Sequence, residues 1–269
     1  MKQDAGGQSV WSSYHRRWQQ LKPPLRPNDE VVAAIRQSIA NAAPPTMLLG
    51  VTPELAEVSR EVVAVDYSPG MIANLWPGDT ALRRAVLDDW RTLSFPDGSF
   101  GAAVGDGSLN ALAYPADQTK LFARLAHILK PEAAIAIRLF VRPDENDTLR
   151  SLHSDATARA IGNFHAFKWR LAMIVAAQSA DPNVGAQSIL DTFDREFPDR
   201  DALAASTGWR RDEIDTIDVY RGSSTRYCFP TRTQFLAAIP DSFVGIRFLA
   251  VGRYPLAERC PVLTMMRRA

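Results

Sequence analysis

The chain has 269 residues, 46% of them hydrophobic and 23% charged, enough for one large domain or one domain with an insertion. Its 31 basic and 30 acidic residues nearly cancel and are spread along the chain, so no field builds up that would steer nucleic acid or an anionic membrane, and neither is an expected partner. Cys228 and Cys260 are too few for a disulfide scaffold and lack metal-ligand spacing, and neither a signal peptide nor a membrane-length apolar window is visible, so a cytoplasmic location is expected.

Trp11, Tyr14 and Trp18 recur at spacings of three and four, which predicts a helix over residues 11–20 with three large rings on one face. Such a stripe either packs on the core or closes over a ligand. The stretch KPPLRP breaks this helix. Asn28 is placed to cap the next one, where Val31, Val32, Ile35 and Ile39 carry helical spacing up to Pro44 and Pro45.

Strand and helix then alternate, the pattern of a doubly wound parallel sheet. Strands are expected at residues 47–50, 62–66, 85–88, 101–105 and 134–141. The clearest helix covers residues 118–129, with Leu121, Phe122, Leu125 and Ile128 in one stripe and Lys130-Pro131 closing it. Alternation stops near Pro143. Residues 144–207 read as purely helical, with Phe164, Phe167, Leu171, Ile174 and Val175 on one face and Trp169 off it, while residues 209–230 are unassigned. A helix capped by Thr231 and strands at residues 244–251 and 262–266 follow, and the short GRYPLAERCP between these strands suits an antiparallel pair at one edge. The expected fold is α/β: a mostly parallel seven-stranded sheet with an antiparallel edge strand, an N-terminal helical lid and a helical insertion after the fifth strand.

The stretch EVVAVDYSPGMI carries the strongest chemical signal. Its β-branched run suits a strand buried on both faces, and Asp66 ends that strand where open α/β sheets bind ligands. The carboxylate either starts a turn or accepts two ribose hydroxyls. Ser68 and Pro69 suit the start of the following helix. Gly50, between strand and helix start, lets a ligand approach closely, and the backbone at Val51 and Thr52 faces it. A dinucleotide fold would place three spaced glycines here, so nicotinamide and flavin cofactors are disfavoured. Asp89 can accept from an exocyclic amine of adenine, and the glycines around Asp106 let backbone line a pocket.

Together these stretches resemble the class I S-adenosylmethionine-dependent methyltransferases over roughly residues 46–141. VVAVDYSPGMI is similar to that family's VxGxDxSxxMI, and LDDWRTLSFPDGSFGAAVGDGSLNAL to its GDAxxLPFxDxSFDxVxxxxxL. The family's ExGxGxG is reduced to Gly50 alone, and only 15 residues separate it from Asp66, so the first helix is expected to be shortened. The resemblance implies S-adenosyl-L-methionine as cofactor and methyl transfer to a small-molecule acceptor. Asp66 would bind the ribose, Tyr67 and Met71 would pack on adenine, and Asp89 and Trp90 would hold its edge. Asp106, Gly107 and Ser108 would border the methionine end. Residues 1–45 become the lid, 46–143 the cofactor-binding half, 144–230 a helical substrate cap and 231–269 the C-terminal part of the sheet.

Trp18 would lie over the cofactor, and Arg26 either meets its carboxylate or is a solvated surface residue. The histidines, His15, His127, His153 and His165, show no metal-ligand spacing. His165 is the candidate general base toward the acceptor, against a plain packing role. No NPPY-like tetrapeptide follows the fourth strand, so methylation of amides or adenine by that mechanism is not suggested. The competing reading is a non-catalytic S-adenosylmethionine- or nucleotide-binding regulatory module, marked by the degenerate first loop.

Overall fold

The computed structural model describes residues 15–269. Nine strands are defined among these residues, seven of them in one sheet. Strands β1 (Thr46–Leu49), β2 (Val62–Asp66), β3 (Arg83–Leu87), β4 (Phe100–Asp106) and β5 (Leu129–Arg138) run parallel; β8 (Phe243–Leu249) and β9 (Val262–Arg267) complete the order β3-β2-β1-β4-β5-β9-β8. The antiparallel pair closes that edge as expected. Within it the reversed strand is β9, paired antiparallel with both β5 and β8, so β8 lies outermost.

Alternation along the buried strands divides the core into two layers, one on each face of the sheet. Leu48, Val62, Ala64, Ala102, Val104 and Ala136 face the layer that holds helix α1 (Asp29–Ser38) and the insertion. Met47, Leu49, Val63, Val65, Ala103 and Ile135 face helices α3 (Ala116–Ile128) and α9 (Arg232–Ala238). Local signals place the helix starts. Asn28 Oδ1 accepts from the Val31 N–H at 3.1 Å, Ser68 Oγ accepts from Met71 N–H at the start of α2 (Pro69–Leu75), and Thr231 and Gln234 form a reciprocal capping box.

Three expectations are corrected. After β1 there is no α-helix: a single 3-10 turn, Pro53–Leu55, stands in its place, and the Thr52 side chain makes no cap. With so few residues between Gly50 and β2, a full helix cannot run back along the sheet. The predicted N-terminal helix is 3-10 where described, over His15–Gln20; Trp11 and Tyr14 lie outside the described residues.

The insertion is not purely helical. It holds α4 (Leu149–Thr157), α5 (Phe164–Ala176), strand β6 (Asn183–Gly185), then α6 (Ala186–Glu196), α7 (Arg200–Thr207) and α8 (Arg211–Ile214). The antiparallel partner of β6 is β7 (Arg226–Cys228), within the unassigned stretch; the pairing satisfies backbone groups while burying Val184 and Tyr227. Helix α5 is buried on nearly every side, which a one-face reading of its stripe does not anticipate. No helix among the described residues is long and apolar enough to cross a membrane.

Candidate active site

The carboxyl ends of β1, β2 and β4 open onto one cavity of about 840 Å³, mouth included. Gly50, at the end of β1, has φ +104°, a conformation that β-carbon-bearing residues avoid. Its N–H donates to the Val65 carbonyl at 2.8 Å, and that oxygen also accepts the Trp90 indole N–H at 2.6 Å. A Cβ placed on Gly50 would stand 3.9 Å from both Asp66 Oδ2 and the Trp90 ring, so the bare α-carbon leaves a cleft between them.

Asp66 is nearly buried on the cavity wall. Its Oδ1 accepts the Ser68 N–H at 2.8 Å. Burial pushes its pKa up to about 6, against the pull of the Ser68 and Tyr67 N–H groups. Tyr67 and Met71, which follow, also line the cavity, as do Val51 and Thr52 from the first loop.

Asp106, Gly107 and Ser108 extend β4 along the same wall. Gly107 has φ +66°, and a Cβ there would meet the Phe140 ring at 2.6 Å, so chain conformation and space both require glycine. The Asp106 carboxylate is engaged by Arg138, from Nε to Oδ1 and from Nη2 to Oδ2 at 3.0 Å. Burial alone would drive the Arg138 pKa down, but the adjacent Asp106 charge outweighs it and keeps the guanidinium charged. Arg138 also donates to Tyr254 Oη at 3.2 Å and lies over the Phe140 ring.

Trp18 lines the cavity from the N-terminal segment, its indole N–H on Glu54 Oε1 at 3.3 Å. Glu54 also takes Arg26 Nε in an ion pair, and Arg26 stands 5.9 Å over the Trp18 ring. Arg26 is therefore not on the cavity wall; Glu54 has taken the charge proposed for a ligand carboxylate.

Two further predicted positions do not reach the cavity. Because β3 ends at Leu87, Asp89 lies beyond the sheet edge, where Arg91 Nε bridges both its oxygens at 2.9 and 3.0 Å. That hydrogen-bonded guanidinium holds the Asp89 carboxyl below its ordinary range. His165 is wholly buried in α5, with Nε2 3.3 Å from the Gln20 carbonyl and 3.8 Å from Glu213 Oε1. Burial first, then the Lys168 charge, lower its pKa to about 3. That keeps the ring neutral, and its contact with the Gln20 carbonyl ties the N-terminal segment to the insertion. It is not placed to act as a base in the cavity.

Sequence reasoning missed much of the inner wall: Asn110, Phe140, Trp169 and Tyr227. Trp169 lying off its helical stripe was the one available signal. The two cysteines are buried free thiols, and burial pushes Cys260 up to about 12. No group of three or more metal-binding side chains occurs among the described residues.

Residues 50–137 match the family described as methyltransferase domain. Over that segment the chain is similar to a methyltransferase domain, and its sheet has the class I Rossmann-like order, the fold of the S-adenosylmethionine-dependent methyltransferases. Among solved structures it is similar to the CcbJ methyltransferase from Streptomyces caelestis, at 14% identity and TM-score 0.56, covering 97% of this chain and 99% of that one. A protein from Rhodobacter sphaeroides described as a putative Zn-dependent alcohol dehydrogenase aligns at 13% identity and TM-score 0.59, over 97% and 99%. Human N-acetylserotonin methyltransferase, solved in complex with S-adenosylmethionine, aligns at 11% identity and TM-score 0.50, over 96% of this chain and 56% of that one. At such identities the likeness is one of fold. No curated protein matches the chain at significant sequence similarity.

Proposed function

We propose that this protein is an S-adenosylmethionine-dependent enzyme that methylates a small-molecule acceptor. The observation that carries this reading is the Asp66 carboxylate facing the bare α-carbon of Gly50, with the Trp90 ring beside both. A strand-terminal carboxylate, a glycine cleft and an indole suit the ribose and adenine of a nucleoside, so the residues present fit the cofactor. When bound, S-adenosylmethionine supplies a methyl group on an activated sulfonium.

The rest falls to the chain. Asp66 would hold the ribose hydroxyls, Tyr67 and Met71 would flank the base, and the backbone from Gly50 to Thr52 would meet the methionine portion. Glu54 keeps Trp18 over the cavity, and the insertion closes its inner end through Trp169 and Tyr227, which excludes water from the site. On this reading residues 1–45 form the lid, 46–143 the cofactor-binding half, 144–230 the substrate cap and 231–269 the end of the sheet. Positioning and exclusion of water supply most of the rate, and no side-chain base is assigned.

Calorimetry with S-adenosylhomocysteine tests the reading. The wild-type protein should bind it and Asp66→Ala should bind about ten- to a hundredfold more weakly, since charge-assisted hydrogen bonds contribute about 1.5–3 kcal/mol. No binding at millimolar ligand, or an unchanged affinity in a folded Asp66→Ala protein, would overturn it.

A further inference from the structure

Apart from Asp66, the polar groups around the cavity are mostly occupied by the protein itself. Asp106 is held by Arg138 through both carboxylate oxygens. Asn110 accepts the Phe140 N–H at 2.9 Å and donates to the carbonyls of Phe140 and Cys228 at 2.8 and 2.7 Å, so its amide is consumed in holding β7 and the end of β5 together.

Two side-chain atoms of the wall residues are buried without a partner among the described residues: Trp169 Nε1 and Ser108 Oγ. Ser108 Oγ sits over Gly105, only 2.2 Å from where a Cβ on that glycine would stand. Trp169 is packed edge-on by Phe140, Tyr227 and Phe229, with ring centroids 5.3, 5.3 and 5.2 Å away. An indole N–H can only donate. Left unmet in a buried site, such a donor costs about 1–3 kcal/mol. Trp169 lines the cavity, so a ligand bound there comes up against its indole ring.

We propose that the inner end of this cavity selects a flat, uncharged methyl acceptor bearing a carbonyl-type oxygen, and that Trp169 is the residue that selects it by donating its indole N–H to that oxygen. This rests on the methyl-transfer reading of the same cavity. The ring walls of Phe140, Trp169 and Tyr227 accommodate an apolar, planar body. The charged pair on the wall is already internally compensated, so an anionic ligand would enter with no countercharge and lose its hydration uncompensated. A compound lacking the oxygen leaves the indole donor unmet, which is the situation in which buried sites discriminate most strongly.

The test uses the full-length protein saturated with S-adenosylhomocysteine and three probes: coumarin, 2H-chromene, which has a methylene in place of the carbonyl, and coumarin-3-carboxylate. Coumarin should bind at least about tenfold more tightly than either of the others. In the ¹⁵N-labelled protein it should move the Trp169 indole N–H resonance downfield, that resonance being identified by its loss in Trp169→Phe. In Trp169→Phe the preference for coumarin over 2H-chromene should fall to about twofold or less. Equal binding of coumarin and 2H-chromene by the wild-type protein, preferred binding of the carboxylate, or binding of none of the three would overturn the assignment, independent of whether the variant folds. Failure of S-adenosylhomocysteine itself to bind would instead strike the methyl-transfer reading.

Discussion

Trp90 donates its indole N–H to the Val65 carbonyl at 2.6 Å, tying the loop after β3 to the strand that carries Asp66. The same oxygen takes the Gly50 N–H, so one carbonyl joins three of the segments that border the candidate nucleoside site. Trp90→Phe should lower stability by about 1 kcal/mol for the lost hydrogen bond, with some further loss from packing, because Val65 keeps its second donor. Urea denaturation measures this. S-adenosylhomocysteine affinity should fall too, since the wall of the cleft moves; an unchanged dissociation constant would detach Trp90 from the site.

Asp66 gives a pH dependence of defined sign. Its pKa in the folded protein, about 6 against an ordinary 3.8, means that the fold favours the protonated form. The group's contribution to stability is full below about 3.8 and is lost as pH rises through about 6. Without ligand, Asp66→Asn should therefore be more stable than wild type at pH 7.5, and this gain should vanish near pH 3.5. A ligand whose hydroxyls donate to the carboxylate has the opposite preference. Wild-type affinity for S-adenosylhomocysteine should then weaken by up to about tenfold per pH unit below 6, and the Asp66→Asn profile should be flat across that range.

Asp89 should matter little to cofactor affinity. Its oxygens are taken by Arg91 at the exposed sheet edge, and exposed pairs of this kind contribute about 0–1 kcal/mol. Asp89→Ala is expected to shift the S-adenosylhomocysteine dissociation constant by less than about threefold, well short of the Asp66→Ala effect. A loss matching that of Asp66→Ala would restore Asp89 to the adenine edge.

The Arg138–Asp106 pair is buried at both ends, with side-chain exposures of 0% and 4%. Arg138→Met should destabilise the fold by about 3–5 kcal/mol by stranding a carboxylate, whereas Arg138→Met with Asp106→Leu should recover most of that loss. Thermal and urea melts of the two variants decide it; equal destabilisation by both would mean that the site depends on the charges themselves.

The strand VVAVD and the turn into its helix were legible because a parallel strand buried on both faces must be apolar throughout, and because Ser68 and Pro69 act within one turn of their own positions. Asp66, Gly50 and Gly107 come together around one cavity because strand ends and the chain reversals after them are set by local chemistry, and Trp18 joins them from the N-terminal segment. Asp89 was not, because its role turned on where β3 ends in the sheet register and on Arg91 reaching it first. His165 and Trp169 lie four residues apart on one helix. Both lie off the apolar stripe of that helix, and periodicity could not tell which would be sealed against Gln20 and which would line the cavity, because α5 is covered on nearly every side by elements from distant parts of the chain. Local sequence determined the strand–turn–helix unit and its carboxylate. Tertiary packing alone decided which polar groups were spent on the protein itself, since a hydrogen-bond donor is satisfied by whatever the fold brings within about 3 Å of it, however far away in the chain.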